Sequence, residues 1–289
     1  VAMRNELPES NRPIRDLIRR LIKAPAALSI LWPAILILGG YLAWHRWGAQ
    51  HVAAGLGGVR AEAIQVTEPP MYVRSDVINS VYNDTAMSGL SLMDRSATSK
   101  IAAAFSMHPW VRDVLSVRKL PGGVVDVRLD YRLPVAMTRV YKPQYASSEK
   151  YYLPIDGEGV LLPSEEFARS ETRDFIHIEI PGVDSNNRPG TKFGDRRVEA
   201  AAALAEILKP FREQAEIRSI QVVGDSRFND VPQLEIETTD GRRFAWGNPP
   251  GLEAPGEATA EMKVQTLLQA DKTATLDLRM ARPRTDFRR

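Results

Sequence analysis

From Ala24 to Trp44 the chain carries no charged side chain, a run of 21 residues. About 20 helical residues cross the hydrocarbon core of a bilayer, so a membrane-spanning helix is expected at 24–45. Leu28, Ile30, Leu31, Ile35, Leu36, Ile37 and Leu38 supply its apolar surface. Pro33 interrupts the run, which membrane helices tolerate. Trp32 lies inside it, and Tyr41, Trp44 and Trp47 gather at its far end, where an interfacial aromatic belt belongs. Trp32, Pro33, Tyr41 and Trp44 are therefore the candidate anchor residues.

The tail at 1–23 gives the span a direction. It holds Arg4, Arg12, Arg15, Arg19, Arg20 and Lys23 against Glu6, Glu9 and Asp16. Positive charge before a span keeps that end in the cytoplasm, so everything after Arg46 is expected outside the cytoplasm. The alternative is a cleaved signal peptide. Its apolar part would be about 7–15 residues, followed by small residues at the cleavage site. Here His45, Arg46 and Trp47 follow, although Ala53 and Ala54 offer a peptidase a site. Without the tail, 32 basic residues face 33 acidic ones, a balance that argues against a nucleic-acid partner. The absence of cysteine excludes disulfides, thiolate metal sites and thiol nucleophiles.

The connector at 46–58 is small and Gly-rich, and its GLGG follows no strand, so it reads as a linker and not as a phosphate loop. A unit at 59–132 then reads β-α-α-β-β. Its parts are a strand at Ala63–Val66, a helix at Ser75–Tyr82 capped by Ser75, and a helix from Asp94 or Ser96 to Met107 ended by Pro109. A strand at Val111–Leu120, a Pro121-Gly122-Gly123 turn and a strand at Val124–Arg132 complete it. In that last strand Val125, Val127, Leu129 and Tyr131 alternate with charges, so one face is buried. The segment 133–281 is strand-rich. Strands are expected at Val135–Tyr141, on both sides of Asp156-Gly157, and at Phe175–Ile180. Others are expected at Ser219–Val223, Leu234–Thr238 and Arg242–Trp246, with a last one at Thr275–Met280. Helices are expected from Asp195 to Leu208 and from Thr259 to Ala270. Residues 282–289 form a charged tail. The fold class is α+β: one transmembrane helix, a β-α-α-β-β unit and a mixed, strand-rich β domain.

The order of these parts, together with His108-Pro109-Trp110-Val111, Ser116-Val117-Arg118, Pro121 and the strand Val125–Leu129 leading into Pro134-Val135-Ala136, resembles the cell-division family FtsQ/DivIB. The 59–132 unit is similar to that family's POTRA domain, and Leu153–Pro163 to its glycine-containing hairpin. Two stretches depart from the family pattern: a polar insertion at Lys142–Lys150 and a long segment at Val183–Phe193. The resemblance implies a non-enzymatic divisome scaffold in the cytoplasmic (inner) membrane at the septum. Such a scaffold recruits and regulates the septal peptidoglycan synthesis complex through its extracytoplasmic part. The implied partners are FtsB-like and FtsL-like single-span coiled-coil proteins, docking by strand addition on Leu276, Asp277, Leu278, Arg279 and Met280. Met280 stands where the family often has an aromatic residue. The open alternatives are a POTRA-bearing component of a secretion or outer-membrane assembly system and, in another class, an anchored exported hydrolase using Asp156 or Glu158. The last strand can also be an internal strand guarded by Asp277 and Arg279.

No catalytic, cofactor or metal site is expected. His45, His51, His108 and His177 lack metal-ligand spacing, and no nucleophile elbow, Walker loop or dinucleotide fingerprint occurs. His108 is expected to end a helix as an imidazolium favoured by the helix dipole. His177 is expected on the polar side of its strand. Asp156, Glu158, Glu165 and Glu166 are expected to be turn residues and solvated charges, and no small-molecule substrate is implied.

Overall fold

The computed structural model describes residues 25–48, 57–141, 151–223, 231–270 and 276–280, with the backbone alone at 25–31 and 47–48. The basic tail, His51 and most of the connector, the insertion at 142–150, Thr275 and the charged end lie outside the described residues. The described chain is α+β with mixed sheets, and it divides into two compact units.

The first unit takes the described residues up to Val59 together with Gly89–Arg95. Helix α1, Pro25–Ala43, runs through Pro33 and passes into a π-helical turn at Trp44–Gly48. Among its described side chains Trp32, Ile35, Leu36, Ile37, Leu38, Tyr41 and Leu42 are all exposed. Among the described residues no helix is long and apolar enough to cross a membrane. Elsewhere in this unit Gly58 bridges Ser91, and Val59 N–H donates to Leu90 O at 2.9 Å.

The second unit carries two sheets. The first has three strands in the order β1 (Ile64–Val66), β3 (Val124–Tyr131), β2 (Val111–Leu120). β1 runs parallel to β3 and β2 antiparallel to it. The alternation in β3 is borne out: Val125, Val127, Leu129 and Tyr131 are buried. The helices of this part are α2 (Val77–Asp84) and α3 (Ala97–Ser106). They bring Val77, Val81, Ile101, Ala104 and Phe105 into the core. Helix α2 starts two residues later than expected, because Asp76 and not Ser75 is its cap: Asp76 Oδ1 accepts the Asn79 N–H at 3.0 Å.

The second sheet has six strands in the order β5-β4-β6-β7-β8-β9. These are β4 Ala136–Val140, β5 Tyr151–Ile155, β6 Ile176–Glu179, β7 Ile217–Val223, β8 Gln233–Thr238 and β9 Arg243–Gly247. β4, β6 and β7 are mutually parallel and the remaining pairs antiparallel. Helix α4, Arg196–Leu208, is capped by Asp195 as expected. It buries Val198, Ala201, Ala202, Ala205 and Leu208 with Ile176, Ile178 and Ile220. Helix α5, Ala260–Gln269, adds Val264 and Leu267. Burying this stripe against a sheet contributes about 25 cal/mol per Å² of apolar area, far more than helix propensity does.

Two strand expectations are corrected. After Asp156-Gly157 the chain returns not as a strand but with isolated bridges, Leu161 to Ile155 and Val160 to Lys192, because the Asp156 carboxylate takes the Glu158 and Val160 N–H groups into a turn. At 276–280 there is one parallel bridge, Asp277 to Ala245, followed by a turn.

Candidate interaction edge and the joint behind it

A sheet edge attracts a strand only where its backbone groups are left over. In the three-stranded sheet β1 is three residues long. Its other edge, β2, has two register irregularities, which twist an edge away from pairing. In the six-stranded sheet the chain itself covers the Pro154–Ile155 end of the β5 edge: Leu162 N–H donates to Pro154 O, and just past the strand Asp156 N–H donates to Val160 O.

The β9 edge differs. Ala245 N–H donates to Leu276 O at 3.2 Å, and Leu278 N–H donates to Ala245 O at 2.9 Å. In a parallel pair this geometry turns the N–H and C=O of the intervening residue, Asp277, away from β9. Among the described residues neither group has a hydrogen-bond partner. Leu276, Asp277 and Leu278 are buried, while Arg279 and Met280 are exposed. The five candidate docking residues therefore divide: two apolar side chains anchor the segment inward, one backbone unit faces outward, and Met280 stands beside it.

The segment is stiffened from behind. The Arg279 guanidinium straddles Asp277, with Nε to Oδ1 at 2.8 Å and Nη2 to Oδ2 at 2.6 Å. This bidentate pair holds the Asp277 carboxyl below the usual carboxylate range and raises Arg279. Arg279 O accepts the Ala258 N–H at 2.9 Å. Below lies Lys263, fully buried, with Nζ 2.6 Å from Glu257 Oε1 and 5.0 Å from the centre of the Trp246 ring. Glu257 also accepts the N–H groups of Asn248 and Ala254. Gly247 has φ 91°, and a Cβ there would meet Glu257 Oε1 and stand 2.7 Å from Arg279 Cγ, so only glycine fits. A lysine on the apolar stripe of Val264 and Leu267 was the sequence signal for this cluster.

The motif residues play a different part. Pro109 and Trp110 meet the loops after β5 and β6, at Glu166 and Phe167 and at Gly190. A Cβ on Gly190 would stand 3.0 Å from Pro109 Cα. The Trp110 indole donates to Glu166 Oε1 at 2.8 Å, and Glu166 Oε2 accepts the Arg74 and Ser75 N–H groups. Burial works to raise the Glu166 pKa, but these donors outweigh it and the net direction is down. Phe167 packs on the Trp110 ring at 6.1 Å between centroids, and Tyr72, Phe167 and Phe175 pack on one another at 5.8–6.4 Å. Arg132 Nη1 lies 2.6 Å from Asp156 Oδ2 and 3.3 Å from Glu158 Oε2. Val111 is buried, Ser116 and Val117 are half-buried on β2, and Arg118 and Pro121 are exposed.

Three charge expectations are thereby corrected. Asp156 is buried, not solvated, and Glu166 is a saturated acceptor. His108 is buried, its pKa is lowered by that burial, and its Nδ1 accepts the Trp110 N–H at 3.3 Å, so it is neutral and not a dipole-stabilised cation. His177 is half-buried on β6, with Nε2 2.9 Å from Thr172 O and its ring against Tyr152. Among the described residues no group of three or more His, Cys, Asp or Glu is placed to hold a metal ion. A scan against protein-family models matches no family, and a search of curated proteins finds no match.

Proposed function

We propose that this chain is a single-pass inner-membrane scaffold of the divisome, with a cytoplasmic amino terminus and a POTRA domain at 59–132. Its β domain receives a strand from an FtsB-like or FtsL-like coiled-coil partner and so links that partner to the septal peptidoglycan synthesis complex. The observation that carries this reading is the outward N–H and C=O of Asp277 on a segment stiffened from behind. Two further features support it. The three-stranded order β1-β3-β2 with two helices suits a POTRA domain. Helix α1 exposes apolar side chains along its described length, as a helix in lipid does.

A partner strand laid along 276–280 would bond to Asp277 through the backbone and take specificity from its contact with Met280. Affinity capture of the full-length chain from native membranes tests this. Leu278→Glu is unsuitable because Leu278 is buried and the change would damage the core. Asp277→Pro removes the outward N–H together with the carboxylate that holds Arg279, so Met280→Asp, which changes an exposed side chain alone, is the second variant. Co-purification of small single-span coiled-coil proteins, lost in both variants, supports the reading. Retention in both variants, or capture of outer-membrane assembly components instead, overturns it.

A further inference from the structure

On the face of the six-stranded sheet away from α4, strands β4, β5 and β6 and the loop at 163–175 border a cavity of about 680 Å³. Ile176 and Ile178 pack with α4, so His177 between them points to the other face, where Met137 and Tyr152 also lie. A volume of about 300–1,000 Å³ is that of a small-molecule site. Met137 and Pro154, both buried, form the floor.

The walls are rings held from behind. The Tyr152 and His177 rings lie 4.7 Å apart between centroids. His177 Nε2 is 2.9 Å from Thr172 O, a carbonyl that only accepts, so this nitrogen carries a proton and fixes the ring. Phe167 packs on Trp110, Tyr72 and Phe175 at 5.9–6.4 Å. A ring entering the cavity therefore meets aromatic surface that has little freedom left to lose.

The rim is cationic. Arg169 and Arg173 are exposed there, against one carboxylate in the lining, Glu165. The backbone of Arg173 is tied down by Arg212, whose Nη2 donates to Arg173 O. Its guanidinium has no ion pair or hydrogen bond among the described residues. Glu171, two residues away, is taken by Arg74 and by the Ala168 N–H, and Asp174 is exposed and outside the lining. A guanidinium fork matches a carboxylate through two parallel N–H bonds.

We propose that this cavity binds an aromatic carboxylate, its ring against Tyr152 and Phe167 and its carboxylate on the Arg173 guanidinium. Two guanidiniums opposed by Glu165 favour a monoanion over a doubly charged phosphate. Such a group comes either as a free aromatic acid or as the carboxyl-terminal aromatic residue of a chain. The site is apart from the β9 edge and does not depend on the divisome reading.

The test is calorimetric titration of the detergent-solubilised full-length chain with N-acetyl-phenylalanine, against its neutral amide and against N-acetyl-alanine. The acid should bind about tenfold more tightly than the amide, and about tenfold more tightly than N-acetyl-alanine. Arg173→Gln and Glu165→Gln alter exposed side chains. The first should weaken the acid several-fold, the second should strengthen it, and neither should move the amide. The peptide Gly-Gly-Gly-Phe separates the two sources: binding equal to that of N-acetyl-phenylalanine assigns the site to a chain end, and loss of binding assigns it to a free acid. Equal binding of acid and amide, equal binding of the phenylalanine and alanine acids, or no binding of any probe overturns the site. A preference for the acid that survives undiminished in Arg173→Gln overturns the placement of the carboxylate.

Discussion

The Trp110 indole donates to Glu166 Oε1 over 2.8 Å across 56 residues of sequence. That bond ties the start of β2 to the loop after β5. The carboxylate also takes two backbone N–H groups ahead of α2, so removing it orphans three donors at once. Glu166→Ala should lower stability by about 2 kcal/mol or more, and Glu166→Gln by less, since an amide oxygen still accepts. Urea unfolding of the full chain, read by midpoint at constant m, measures both.

The Arg132 and Asp156 side chains are 13% and 6% exposed and 2.6 Å apart. Breaking a buried pair from one side leaves an uncompensated charge and costs about 3–5 kcal/mol. Asp156→Ala should fall in that range, because it also frees the Glu158 and Val160 N–H groups. If Asp156 were instead a catalytic acid, the same variant would lose an activity while keeping its unfolding midpoint.

Stability should decline on acidification through the held carboxylates. Glu166 and Asp277 have folded pKa values below their ordinary 4.5 and 3.8. Groups depressed by folding contribute fully above the unfolded value and lose that contribution as pH falls through the folded one. His108 acts in the same direction from 6.5 downward, since its buried neutral form must be charged on protonation. Unfolding free energy should therefore drop below about pH 6 and again below about pH 4.5. The lower step should shrink in Glu166→Gln.

Lys263→Met should weaken the β9 edge without touching its surface. The substitution leaves the Glu257 side chain with two backbone donors and without its ion-pair partner. The loss should be about 3 kcal/mol, smaller in the double variant with Glu257→Gln, where no unpaired charge remains. Hydrogen exchange should quicken first at Leu278 and Ala258, whose N–H groups hold the last segment.

Periodicity made the strands and helices legible. The alternation of Val125, Val127, Leu129 and Tyr131 and the stripe of Val198, Ala201 and Ala205 follow from side-chain spacing alone. The joint was not legible, because Trp110, Arg132, Asp156 and Glu166 meet only through tertiary packing. A carboxylate next to a turn glycine looks solvated until its distant partner is known. The last strand was overread for a related reason. Leu276 and Leu278 alternate with Asp277 and Arg279 as a strand would, yet Arg279 folds back to pair with Asp277 and the chain turns.

A partner strand is proposed to lie against Asp277. A photo-crosslinking amino acid at position 280 of the full-length chain in dividing cells tests it, with position 115 on the exposed face of β2 as the control. An adduct at 280 with a small single-span coiled-coil protein is expected, abolished by Asp277→Pro, with no such adduct at 115. An adduct of that protein at 115 and none at 280 would contradict it.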